Sequence, residues 1–121
     1  MAIIASDTSV LDALNEEIIY GPGGVSLYTD DTDLMYLHFT ATSGTWTISF
    51  SWSVDGTNYY SASVFPIVGF GVNSSISASG TTFNTIYRWT TSNTPYLKVK
   101  MTAYTSGVVT VRAAAYRQQT R

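Results

Sequence analysis

Cysteine is absent from the 121-residue chain, which excludes disulfides, thiolate nucleophiles and zinc sites built on sulfur. Charge is scarce too: only 12% of the residues are Asp, Glu, Lys or Arg, about half the usual quarter. Six Lys and Arg make too small a basic footprint for nucleic acid to be an expected partner. No run approaches the roughly 18 apolar residues that a spanning helix needs, so no membrane partner is expected either. The opening Met1-Ala2-Ile3-Ile4-Ala5-Ser6-Asp7 has no basic region and too short an apolar stretch for a signal peptide. Histidine occurs once, as His38.

Hydroxyls stand where charges are missing. The chain holds 15 Ser and 18 Thr, beside 45% hydrophobic and 14% aromatic residues. That much apolar content excludes disorder and suits one domain with one core. A polar surface with few ions can be covered by a partner without burying many charges. The charges that exist are segregated: all eight acids lie between Asp7 and Asp55, and all six bases between Arg88 and Arg121. Either the two halves interleave in one sheet system, or copies attract one another head to tail.

Alternation is the dominant pattern. Trp46, Ile48, Phe50 and Trp52 interleave with Thr45, Thr47, Ser49, Ser51 and Ser53, a strict period of two that gives a strand one apolar face and one hydroxyl face. After Pro95, Leu97, Val99, Met101 and Ala103 alternate with Tyr96, Lys98, Lys100, Thr102 and Tyr104. Beyond Ser106-Gly107, Val109, Val111, Ala113 and Ala115 do the same. The short link between these last two runs predicts an antiparallel hairpin. Weaker strands are expected at 25–29, 34–42, 59–68 and 82–91, with an edge strand at 72–76. Val54-Asp55-Gly56-Thr57-Asn58 is a turn in which Asp accepts local backbone bonds and Gly supplies positive φ. Turn signals about every ten residues indicate a sandwich or barrel.

The expected fold is therefore all-β: a single antiparallel β-sandwich, jelly-roll-like or Greek key, over 25–121, preceded by an N-terminal arm over 1–24. Within the arm, Ser9 to Ile18 fits one short helix, with Ser9 as N-cap and Leu11, Leu14 and Ile18 on one face. Ile18-Ile19-Tyr20 before Gly-Pro-Gly-Gly fits a strand equally well.

Catalysis needs convergent titratable groups, and few are present. His38 has no G-x-S-x-G serine to serve. Asp30, Asp31, Asp33 and Asp55 could in principle supply a glycosidase-type carboxylate pair, but the first three sit in a turn-like cluster whose alternative use is a weak cation site. Asn73-Ser74-Ser75 matches the glycosylation pattern, which Ser-rich loops produce by chance. No enzyme, cofactor or metal is expected.

The aromatic residues carry more information. Trp46, Phe50 and Trp52 belong to the core by their alternation. Tyr96, Tyr104 and Tyr116 fall on the polar parity, and at least one of Tyr59 and Tyr60 faces outward after the turn. Exposed tyrosine among hydroxyls suits a protein interface or a sugar platform. With Ile3, Ile4, Leu11 and Leu14 of the arm, these tyrosines are the candidate interface residues.

Two stretches resemble known proteins. Ser53-Val54-Asp55-Gly56-Thr57-Asn58-Tyr59 is similar to the S-x-D-G-x-N-W/Y hairpin of small β-sandwich modules, among them tailed-phage virion proteins and discoidin-like domains. Pro95 to Val111 resembles a closing hairpin of phage head and tail proteins. The sialidase Asp-box carries another residue between Asp and Gly and repeats, so it is set aside. The resemblance covers about 45 to 115 and leaves out the first 24 residues. It implies a small virion structural protein, most like capsid decoration (cement) proteins, with tail, collar and fibre subunits as alternatives. Such proteins are commonly homotrimers seated on the major capsid protein, made in the host cytoplasm and found at the capsid surface. No functional residues transfer with it. The competing reading is a carbohydrate-binding module or lectin, which needs coplanar aromatics or a Ca²⁺ site at Asp30, Asp31 and Asp33.

Overall fold

The period-two segments become ten strands in two facing antiparallel sheets. A computed structural model describes residues 2–21, 34–67, 73–90 and 96–117, with side chains from residue 6 onward and excepting Thr90 and Arg117. The strands are β1 (Ala2–Leu11), β2 (Glu17–Tyr20), β3 (Leu34–Ala41), β4 (Gly44–Ser53), β5 (Tyr60–Ser61), β6 (Phe65–Pro66), β7 (Ser75–Ser79), β8 (Phe83–Thr90), β9 (Tyr96–Gly107) and β10 (Val109–Arg117). Sheet I has the order β1-β10-β3-β8-β6. Sheet II has the order β2-β9-β4-β5, with β7 also on β4. Among the described strands, consecutive ones lie in different sheets except for β4 and β5, so the sandwich is built from crossings rather than hairpins. The expected strand at 25–29 and the Asp30-Asp31-Asp33 cluster lie outside the described residues.

Each sheet turns one parity inward. Met35, Leu37 and Phe39 of β3, Trp89 of β8 and Val109, Val111 and Ala115 of β10 meet Trp46, Ile48 and Phe50 of β4 and Leu97, Val99 and Met101 of β9. Phe39, Phe50 and Tyr87 pack edge-on or tilted, with centroids 5.9–6.3 Å apart, as ring quadrupoles favour. Trp52 is only half-buried and packs against the edge of this core.

Three expectations are corrected. First, β9 and β10 are not a hairpin: they belong to opposite sheets and are joined at Val108 alone. Gly107 (φ +108) makes the corner, and its partner across the ladder, Gly44 (φ +151), makes the β3–β4 corner. A Cβ on Gly107 would lie 2.7 Å from the Ser43 carbonyl oxygen, and one on Gly44 would lie 2.6 Å from that of Ser106. The two crossings can stack this closely only because both residues are glycine. Second, no helix occurs among the described residues. Leu11 and Ile18 are core side chains of different sheets, and Leu14 is at the tip of the turn between them; their helical spacing is incidental. Residues 2–21, set apart as an arm, supply the edge strand of each sheet: β1 pairs with β10 and β2 with β9.

Third, the parity of β9 breaks. Ile48 faces Met101 but Thr47 faces Ala103, so this ladder step spans an extra residue, as does the step from Trp46–Tyr104 to Thr45–Ser106. The first bulge rotates Tyr104 inward against the core, where its hydroxyl donates to the Gly107 carbonyl at 2.9 Å.

Of the segregated charges, the described ladders set one acid against a base, Glu17 directly opposite Lys100; on β1 Asp7 stands opposite Ala113, and Arg112 stands opposite Thr8.

The β4–β5 hairpin turn is closed by its own side chains. Ser53 Oγ accepts from the backbone N–H of Gly56 at 2.8 Å and donates to Asp55 Oδ1 at 2.9 Å. Asp55 Oδ1 also accepts the N–H groups of Thr57 and Asn58, each at 2.9 Å, and Oδ2 accepts the Asn58 amide at 2.9 Å. The Asn58 and Thr57 backbone bonds, with help from the Asn58 amide and the Ser53 hydroxyl, hold the carboxyl far below its usual 3.8. Because the folded value is depressed, the stabilisation is complete above about pH 4 and fades as pH falls below it, where the unfolded chain takes up the proton. Asp55→Asn should therefore lower Tm at pH 7, and the gap to wild type should narrow steadily below pH 4. A gap independent of pH, followed by thermal melts from pH 7 to pH 2, would refute this role.

Candidate interaction face

The two outer faces of the sandwich differ in chemistry. On sheet II, β4 and β7 present rows of hydroxyls. Thr45, Thr47 and Ser49 lie opposite Ser79, Ser77 and Ser75, and Ser49 Oγ bonds Thr102 Oγ1 at 3.1 Å. Such rows hydrate well. Lys98 and Lys100 of β9 flank them, and the Lys98 ammonium sits 4.2 Å from the centroid of the Tyr59 ring.

Sheet I presents a different surface. Its outward positions read Ser6, Thr8 and Val10 on β1; Thr110, Arg112, Ala114 and Tyr116 on β10; Leu34, Tyr36, His38 and Thr40 on β3; Asn84, Ile86 and Arg88 on β8; and Phe65 on β6. None of these is Asp or Glu, although the chain has eight acids. The nearest, Asp7, is on the inward parity, and its carboxylate accepts a bond from Ser9 Oγ at 2.8 Å. Exposed apolar side chains are frequent on this face: Val10 at 48%, Phe65 at 40% and Ile86 at 40%, joined by Ile67 at 44% just after β6.

A hollow of about 560 Å³ lies in the middle of the face, within the roughly 300–1,000 Å³ typical of binding clefts. It exists because small Ala114 sits among large neighbours. Tyr36 and Tyr116 wall one side, Ile67 and Ile86 the other, and Arg112 and His38 border it. The two tyrosine rings meet edge to face, 5.3 Å apart and 88° between planes, so they do not form a coplanar sugar platform. His38 and Arg112 are aligned across the ladder. His38 Nε2 donates to Asn84 Oδ1 at 2.6 Å, and the Arg112 guanidinium donates to Thr40 Oγ1 at 3.2 Å. Among the described residues no group of three His, Asp or Glu gathers as metal ligands would.

The expected interface residues scatter over this frame. Tyr116 lines the hollow. Leu14 is 54% exposed and Tyr60 71% exposed, the latter at the edge of sheet II opposite Trp52. Tyr59 is half-buried beneath Lys98. Tyr96 covers Gly21 and Gly56, where any Cβ would strike its ring, so it holds the Asp55 turn against the sheet. Two residues do not serve as expected: Leu11 is 1% exposed and has no surface to offer a partner, and Tyr104 is turned inward by the bulge. Ile3 pairs with Tyr116, and Ile4 lies at an irregularity of the β1–β10 ladder. Sequence reasoning missed Tyr36, Ile67, Ile86 and Arg112. Their only signal was parity along three separate strands, visible once the register is known.

No protein-family model and no curated protein matches the chain. Solved structures do. The SPBc2 prophage-derived protein YomS superposes with a TM-score of 0.62 at 12% identity, covering 95% of this chain and 98% of that one. The PBSX exported protein XepA gives a TM-score of 0.62 at 12% identity, covering 95% of this chain but only 39% of its own. The chain thus shares the sandwich fold of both proteins, the first of them prophage-derived, and spans well under half of the second.

Proposed function

We propose that the protein is a non-catalytic virion structural protein that decorates a capsid, bridging neighbouring copies of the major capsid protein as a small homo-oligomer, a trimer in the simplest case. The observation that carries this reading is the outer face of sheet I. A face that keeps Val10, Phe65, Ile67 and Ile86 in water, with arginines and no acid, is costly to leave bare and suits coverage by a partner. The fold shared with a prophage-derived protein supports the phage setting. The Asp55 carboxylate is taken up by its own turn and His38 Nε2 by Asn84, which supports an adhesive role over a chemical one. Cementing then works by mass action: each copy buries area across a seam, and several weak contacts per oligomer act together.

The test is decoration of capsids from the phage that encodes the chain. Wild-type protein should co-sediment with them to saturation. Phe65→Asp, which puts an acid beside Arg88 in the middle of the apolar rim, should weaken binding at least tenfold with an unchanged Tm. No binding by wild type, or equal binding by the variant, would overturn the proposal.

A further inference from the structure

The β1–β2 turn, Asp12-Ala13-Leu14-Asn15-Glu16-Glu17, carries three acids and no base. At its tip Leu14 is 54% exposed. The turn is held firmly: Asn15 adopts φ +68 and donates its N–H to the Met101 carbonyl at 2.8 Å. Met101 donates back to the Glu16 carbonyl at 2.8 Å, and Asp12 N–H bonds Glu16 Oε1 at 2.7 Å. An apolar knob ringed by carboxylates is thus preorganised, which reduces the entropy cost of docking it.

The hollow is its complement, with an apolar floor and walls, Arg112 and His38 at the border, and no outward acid on the five strands; Asp7, which also borders it, is on the inward parity and bonded to Ser9. A chain cannot fill its own hollow. Leu11 pairs with Val109, whereas the hollow is centred where Thr8 pairs with Arg112 and Ser6 with Ala114. That is three to five residues up the strand, roughly 10–17 Å away at about 3.3 Å per residue. The turn also runs away from this face toward sheet II, tied to Met101. We infer that a second copy of this chain docks there: Leu14 of one subunit seats over Ala114 of the next, and Asp12 and Glu17 face Arg112. The contact is heterologous, so it propagates head to tail and closes into a ring or continues as a filament. This rests on reading the sheet I face as an assembly surface, and it names what fills the middle of that face while leaving its rim, Val10 and Phe65, to the capsid.

Sedimentation velocity of the purified chain, without capsids, tests it. Wild type should form a concentration-dependent oligomer. Leu14→Glu and Arg112→Glu, both at exposed positions, should each run as the 13.2 kDa monomer with unchanged far-UV circular dichroism and Tm. An equimolar mixture of the two variants retains one good knob and one good hollow, and should give dimers and nothing larger. Several results would overturn the proposal: a monomeric wild type, a variant that still assembles, or a mixture that stays monomeric at concentrations where wild type assembles. A wild-type monomer whose Tm rises with an acidic peptide or a glycan would also overturn it, by showing another occupant. If the protein stays monomeric yet still decorates capsids, this contact and the homo-oligomer fail while decoration stands; if it assembles as described yet ignores capsids, only the cement reading fails.

Discussion

Gly107→Ala should destabilise the protein by about 2–4 kcal/mol, because alanine at positive φ is strained and its methyl has nowhere to go. The methyl would lie 2.7 Å from the Ser43 backbone oxygen, and that oxygen belongs to the neighbouring crossing, which Gly44 holds equally tightly. Neither corner can retreat without shifting a long strand. A domain of this size has only about 5–15 kcal/mol in total, so a fall in Tm on the order of 10 °C is expected. Gly80 provides the control. It too has positive φ, +71, but nothing lies within 4 Å of a Cβ built there, so Gly80→Ala should cost only about 1 kcal/mol. Equal losses for the two variants in urea unfolding would show that backbone strain alone acts at the corner, and that the crossings are not packed as described.

Trp46→Ala should cost about 3–5 kcal/mol, the usual range for emptying a buried aromatic site. Trp46 is 1% exposed, stands edge-on to Phe83 at 5.2 Å, and pairs across sheet II with Ala78 on one side and Tyr104 on the other. Three neighbouring strands, β7, β8 and β9, therefore line the void that truncation leaves. Trp46→Phe should cost much less. It keeps most of the ring and removes Nε1, which is buried without a hydrogen-bond partner and so carries a desolvation penalty. Both variants should lower the urea midpoint with an unchanged m-value. A phenylalanine variant as unstable as the alanine one would mean that the indole N–H is in fact satisfied.

These residues also show how far the sequence could be read. β4 was legible because nine consecutive residues alternate strictly, and one buried face dictates its register. The Asp55 turn was legible because its bonds are local. The β9–β10 hairpin was not, since Ser106-Gly107 is a turn signal for reversal within a sheet and for crossing between sheets alike. The choice depends on the close approach of Gly44, 63 residues away. Tyr104 was misassigned because a bulge inverts parity without leaving a compositional mark. The strand β1 was obscured by Leu11, Leu14 and Ile18, whose spacing imitates a helix though two are core residues of opposite sheets and one is a turn tip.

The hollow was illegible for a related reason. Its walls come from strands that begin at Ala2 and end at Arg117, and its floor is an alanine that looks unremarkable in sequence. Parity marks Tyr116 as outward; only the ladder places it beside Tyr36.

The most direct measurement is a cryo-electron microscopy reconstruction of the same decorated capsids. If adhesion through the apolar, acid-free side is what the protein does, Val10 and Phe65 will lie against capsid subunits, Ala114 will lie beneath a neighbouring copy, and the Ser and Thr rows of sheet II will face water. A capsid-bound protein with its hydroxyl rows against the shell and its Tyr36–Ile86 side open to solvent would contradict the account.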